Sequence, residues 1–156
     1  MTITIKADIR QFAAQNIGLI TLAVIAMAVS LSVDSKPVVF SSLLLLVGSL
    51  LILFLSWALL HSYKWVLKEE TIIRSQGILS KNIDHLELYR IVDYKETQTF
   101  FQRLFGVKTV TIISTDKTDP VMPIYGIKQR IDLVAMIRKK VEQSKQHRHI
   151  YEIANR

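Results

Sequence analysis

The sequence predicts a two-helix membrane hairpin followed by a mostly-β domain that a final amphipathic helix closes. Three patterns carry this prediction. Charged side chains are absent from Gln11 to Val33 and from Val38 to Tyr63, and then recur every few residues. Short β-branched runs bounded by turn residues fill the middle of the charged part, as strands of an antiparallel sheet do. One run of helical periodicity follows them. The 156 residues are 50% hydrophobic and 21% charged, with a mean hydropathy of +0.30, so the average hides a lipid-soluble part and a water-soluble part. This distribution excludes a wholly soluble enzyme and a disordered tail protein. The absence of cysteine excludes a disulfide scaffold.

Val38 to Leu60 holds 23 residues without a charge. At about 1.5 Å per residue such a helix covers roughly 34 Å, enough for a hydrocarbon core of about 30 Å. The earlier run, Ile17 to Val33, is richer in alanine and reaches the same length when Phe12 to Asn16 extend it, giving spans at about 12–33 and 38–60. A cleaved signal peptide is the rival for this run. The run is too long for one, and Asp34-Ser35-Lys36-Pro37 is a poor cleavage site. Those four residues are a short connection, so the helices form an antiparallel hairpin. Lys6, Arg10, Lys64 and Lys68 flank its outer ends and Lys36 alone sits in the turn, which puts both termini in the cytoplasm. Trp57, Tyr63 and Trp65 suit the exit interface. Ser42, Ser49 and Ser56 recur every seven residues on the second helix, and Asn16, Ala23 and Ser30 on the first. With little hydrophobic drive between helices in lipid, such small residues mark a packing seam. A conduction path would need ionisable groups within the spans, and neither has one.

Residues 61–156 carry 17 basic and 11 acidic side chains, a net +6, and are enough for one modest core. Strands are expected at Tyr63–Leu67, Thr71–Gln76, Ile78–Leu88 with a kink near Asn82–His85, Tyr89–Tyr94, Val107–Thr115 and Val121–Tyr125. Thr99 and Gln102 make a capping box for a short helix that Gly106 ends. Its Phe100, Phe101, Leu104 and Phe105 are read as covering one end of the core. The last helix is expected from about Ile127 to Ser144, with Gly126 as N-cap and Ile127, Ile131, Val134, Ile137 and Val141 on its inner face. Met136 lies opposite. The organisation is then a hairpin segment at 1–60, a domain at 61–144 and a basic tail at 145–156. Short antiparallel strands ending in one helix indicate a small or split β-barrel plugged by that helix.

Gly77-Ile78-Leu79 after the second strand, Leu88-Tyr89-Arg90-Ile91-Val92-Asp93, Arg103-Leu104-Phe105-Gly106-Val107 and Ile124-Tyr125-Gly126-Ile127 are further landmarks. With them the chain resembles the bacterial pleckstrin-homology-like domain family, in the form where two transmembrane helices precede the domain. The resemblance covers nearly the whole chain. It implies a split β-barrel closed by the C-terminal helix, in a bacterial plasma-membrane protein whose domain is a binding or scaffold module. None of these motifs is catalytic.

No phosphate loop, nucleophile elbow or HExxH occurs, so no catalytic residue, cofactor or metal is expected. Asp116-Lys117-Thr118 resembles the phosphorylated motif of P-type pumps, but Asp119-Pro120 follows it and a hairpin turn is the reading. Asp116 and Asp119 without a glycine-centred loop make a poor calcium site. His147 and His149 are too few for zinc; His61 and His85 are structural. The positive charge serves topology first and anionic lipid second. Nothing points to nucleic acid. Lys64 and Lys68 are the nearest candidates for lipid contact, with Arg103 and Lys108 joining them if Phe100 and Phe101 turn outward to the interface. The expected partners are a protein, another copy of the chain, or anionic lipid. The alternative role is a small accessory subunit of a transport or export complex.

Overall fold

The structure, a computed structural model, describes residues 2–117 and 119–147. His149, the side chain of His147 and most of the expected tail lie outside them. In chain order the elements are β1 (Ile3–Lys6), α1 (Ile9–Ser32), α2 (Lys36–Ser62), β2 (Lys64–Leu67), β3 (Thr71–Gln76), β4 (Asn82–Glu87), a 3₁₀ turn (Leu88–Arg90), β5 (Ile91–Thr97), α3 (Phe100–Leu104), β6 (Val107–Ser114), β7 (Val121–Lys128) and α4 (Leu133–His147). α1 and α2 are both long and apolar enough to cross a membrane.

The strands form two antiparallel sheets, β1-β2-β3-β4 and β5-β6-β7. No ladder joins them among the described residues, so of the small or split barrel expected, the structure shows two separate antiparallel sheets and no closed barrel. Trp65, Leu67, Ile72 and Leu86 from the first sheet meet Val110, Ile112, Met122 and Ile124 from the second in one core, and Leu133, Ile137 and Val141 of α4 complete it. Their alternation along each strand is the period-two pattern of a sheet with one wet face.

β1 lies in the stretch expected to be a mere flank of the first span. It pairs with β2 from Ile3↔Leu67 to Lys6↔Lys64. The domain therefore begins before the hairpin, and α1 and α2 are an insertion between two neighbouring strands.

Other expectations shift for local reasons. β3 lies where expected. β4 runs unbroken from Gln76↔Asn82 to Thr71↔Glu87, without the expected kink; the irregular backbone falls at 77–81 and in the 3₁₀ turn. Trp65 is fully buried beside Tyr63, ring centroids 5.5 Å apart, rather than at an interface. The last helix starts at Leu133, not Ile127. Ile127 and Lys128 stay in β7 because they pair with Lys108 and Val107. Gly126 is a strand residue at φ +67°. The cap is Asp132, whose Oδ1 accepts from the Ala135 N–H at 3.0 Å, as an N-cap carboxylate does. Ile131, expected inside, is 43% exposed; Val134 packs partly against the core and Ile137 fully.

Asp116 pairs with Arg90 at 3.4 Å and Asp119 with Arg74, which also holds Asp84 at 3.0 Å. Both turn carboxylates thus face guanidinium groups.

Truncation of the fully buried Ile137 to alanine is expected to cost about 2–5 kcal/mol. Met136→Gln, on the exposed side of the same helix, should stay within about 0.5 kcal/mol. Thermal melts of the full chain compare the two, and equal shifts would contradict the docking of α4.

Candidate functional site

The features that distinguish this molecule gather where the hairpin meets the domain. Lys6 and Lys64, paired, are the last residue of β1 and the first of β2. Between β1 and α1 the chain crosses sideways to the second sheet. The Asp8 N–H donates to the Gly126 carbonyl at 3.0 Å, and Asp8 caps α1 by accepting from the Arg10 N–H at 2.9 Å. A side chain at Gly126 would put its Cβ 2.9 Å from the Asp8 nitrogen and 2.9 Å from Gln11 Cβ, so this crossing needs glycine.

The first turn of α1 is then tied to α3. Gln102 Nε2 donates to Gln11 Oε1 and to Thr109 Oγ1, both at 2.9 Å, in a buried network. Thr99 and Gln102 form the capping box that the sequence predicts, and Gly106 ends α3 at φ +67°. The orientation of α3 is the reverse of the expected one. Its buried residue is Gln102, 6% exposed, while Phe100 is 76% and Leu104 68% exposed, with Phe101 also outward. The amide is drawn in because Gln11 and Thr109 would otherwise be buried without partners.

The other leg is fastened similarly. Ser62 Oγ, in the last turn of α2, accepts from the Gly77 N–H at 3.2 Å, which places the β3–β4 turn against the end of the helix. Gly77 sits at φ +116°. Beyond it Ile78 is half exposed and Leu79 fully so, at 102%. Tyr63, Trp65 and Tyr125 pack together beneath this leg.

The four basic residues expected near a membrane separate in the structure. Lys64 and Arg103 are exposed at the base of the hairpin. Lys68 lies at the opposite end of β2, where its carbonyl accepts from Lys140 Nζ at 3.3 Å. Lys108 pairs with Glu96 at 2.8 Å and is mostly covered. Arg10, which the sequence marks only as a flank of the first span, and Lys81, which it does not mark, are exposed at the base as well. Of the small-residue stripes, Ala23, Ser42 and Ser49 are buried and Ser30 and Ser56 half-buried. Ser42 and Ser49 donate to carbonyls of their own helix.

A groove of about 390 Å³ lies between the second sheet and α4, lined by Tyr94, Glu96, Lys108, Arg130, Asp132 and Arg138 among others. The Arg138 guanidinium sits 5.9 Å over the Tyr94 ring. Burial pushes the Tyr94 phenol up to about 12, and its hydroxyl makes no hydrogen bond among the described residues. Among the described residues no three His, Asp or Glu side chains could hold a metal ion.

Two antiparallel sheets packed against a C-terminal helix, joined to a pair of long apolar helices, define a pleckstrin-homology-like protein of the helix-bearing kind. The sequence profile of the bacterial PH domain family matches residues 12–147, and the chain belongs to that family. No curated protein and no solved structure matches it.

Two measurements test this geometry. Gln102→Ala removes the partner of Gln11 and Thr109 and is expected to cost about 1–3 kcal/mol, read as a lowered melting temperature that Thr99→Ser does not reproduce. The Tyr94 shift favours the neutral phenol in the fold. Its contribution to stability is full below the ordinary value of 10.0 and is lost as the pH rises through about 12. Ultraviolet titration of phenolate should show a late-ionising tyrosine that Tyr94→Phe removes.

Proposed function

We propose that the chain is a non-enzymatic integral membrane protein of the bacterial plasma membrane. It crosses the bilayer through α1 and α2 and presents its PH-like domain, as a binding or scaffold module, at the cytoplasmic face. The observation that carries this reading is the insertion of the hairpin between paired neighbours of one sheet. A flexible linker would let the domain swivel; here β1 and β2 fix both legs of the hairpin to the same ladder. The charge balance supports the orientation, with Lys6, Arg10, Lys64 and Lys68 on the domain side and Lys36 alone in the distal turn. The groove beside Tyr94 and the sheet edges that no further strand covers among the described residues are the surfaces available to a protein partner or a second copy. The accessory-subunit alternative has no ionisable side chain within either apolar run to support it.

Cysteine labelling tests the topology without background, since the chain has no cysteine of its own. Ser35→Cys should react from outside intact cells, and Gln143→Cys only after permeabilisation; reaction of both from one side would remove the hairpin. Cross-linking from a photo-reactive group at Gln129, in the groove, then reads the role. Capture of a defined partner or of a second copy supports a binding module. Stoichiometric capture of a pore or ATPase would favour the accessory subunit instead.

A further inference from the structure

We propose that the base of the domain is itself a lipid-facing surface. In this arrangement the 77–81 turn and α3 insert apolar side chains into the interfacial layer of the bilayer that α1 and α2 cross, while exposed basic residues meet anionic head groups. The inference rests on the membrane reading above and adds a second mode of attachment to it.

Scattered exposed hydrophobic residues are ordinary on a protein surface; here they are grouped. Ile78, Leu79 and Ile83 are exposed on one side of the base and Phe100, Phe101 and Leu104 on the other. Each group stands beside one leg of the hairpin. Gly77 is bonded to Ser62 at the end of α2, and α3 is bonded through Gln102 to Gln11 in the first turn of α1.

The heights agree. Ser62 is two residues beyond Leu60, where the apolar run ends, or roughly 3 Å along the axis. Gln11 precedes the first span by roughly 1.5 Å if that span is taken from Phe12, and by roughly 9 Å if it is taken from Ile17. The polar layer on each side of a bilayer is about 5–7 Å thick, from a total of about 40–45 Å around a core of about 30 Å. Side chains at these two points therefore lie within or just below that layer.

Neither group is built for water. A surface helix in water turns its apolar face inward, but α3 turns an amide inward and two phenylalanines and a leucine outward. That is the arrangement of a helix lying in a membrane interface. At Gly77, φ +116°, a Cβ would come within 1.8 Å of the Ser80 carbonyl oxygen, so only glycine fits this path into the turn. Leu79 stands fully exposed two residues further on. Arg10, Lys64, Lys81 and Arg103 are exposed around the same base, and basic side chains at this level are attracted to an anionic leaflet. Continuity with the apolar helices and this charge complementarity select lipid over a protein as the occupant.

The experiment uses the full chain, one copy per lipid nanodisc. Single cysteines at Leu79, Phe101, Leu51 and Gln143 carry an environment-sensitive fluorophore, and the discs are zwitterionic or contain phosphatidylglycerol. The expected result is blue-shifted emission and quenching by lipid-borne nitroxide at Leu79 and Phe101, as at Leu51 within α2. Gln143 should show red emission quenched by iodide. Lys81→Glu with Arg103→Glu should lower lipid quenching at Phe101 more in anionic than in zwitterionic discs. Water-like behaviour at Leu79 and Phe101 with lipid quenching at Leu51 would overturn this proposal and leave the membrane reading intact. Loss of lipid quenching at Leu51 would remove both. Blue emission at Leu79 shielded from lipid and iodide alike would mean that protein covers the turn, and would also overturn it.

Discussion

Lys6 and Lys64 face each other across a strand pair although the whole helical hairpin lies between them in the chain. Paired strands lie about 4.8 Å apart, whereas packed helices need about 8–10 Å between axes. The two legs must therefore spread as they leave the sheet, and the chain does this on one side. Tyr63 alone joins α2 to β2, so that leg continues almost directly. The other leg steps across Ala7 and Asp8 onto the second sheet, over Gly126, before α1 begins. Within α1 the backbone departs from helical angles at Asn16, with φ −110° and ψ 15°. Asn16 Nδ2 bonds the Phe12 carbonyl at 3.0 Å, providing that acceptor with a partner at the break.

This sideways step also explains how two sheets without a shared ladder stay together. At one corner the Asp8–Gly126 bond joins the β1 leg to β7. At another, Arg74 extends from β3 between Asp84 of β4 and Asp119 of the β6–β7 turn. Arg74 is 11% exposed as a side chain, and a guanidinium so covered needs both carboxylates to offset the loss of water. Leu133, Ile137 and Val141 of α4 fill the apolar space that remains.

What was legible in the sequence follows from the range of the interactions involved. β3 and the capping box of α3 rest on residues close in sequence, and both stand where the pattern puts them. β1 is four residues long and its partner lies beyond two helices, so the alternation of Ile3-Thr4-Ile5-Lys6 had nothing local to distinguish it from a flank. The sequence places the start of α4 six residues early, at Ile127 instead of Leu133, because Ile127 and Ile131 fit a helical period. The competing requirement, pairing of Ile127 and Lys128 with β6, is non-local, and the Asp132 cap was masked by its apparent place on a polar face. The site was the least legible part. Lys64 and Lys68 are close in sequence, but a strand of four residues carries Lys68 roughly 13 Å along the sheet from Lys64. Phe100 and Phe101 read inward from the sequence because apolar residues usually are; Gln102, buried through Gln11 and Thr109, reverses the helix.

The mounting of the domain changes what a small apolar surface at its base can do. For a free protein, association with a membrane must first offset the loss of translational and rotational freedom, several kcal/mol or more. Weak interfacial contacts alone then give marginal binding. Here α1 and α2, in the membrane reading, supply that loss in full, and the β1–β2 ladder removes most of the remaining swivel. A second contact on the same molecule is an intramolecular event at high effective concentration. Leu79 and the α3 phenylalanines need only outweigh local ordering of the 77–81 turn and of a helix already capped by Thr99. The same mounting makes the alternative costly. If the base stood clear of the interface, six large apolar side chains would be held in water beside a lipid surface by a scaffold that cannot turn them away.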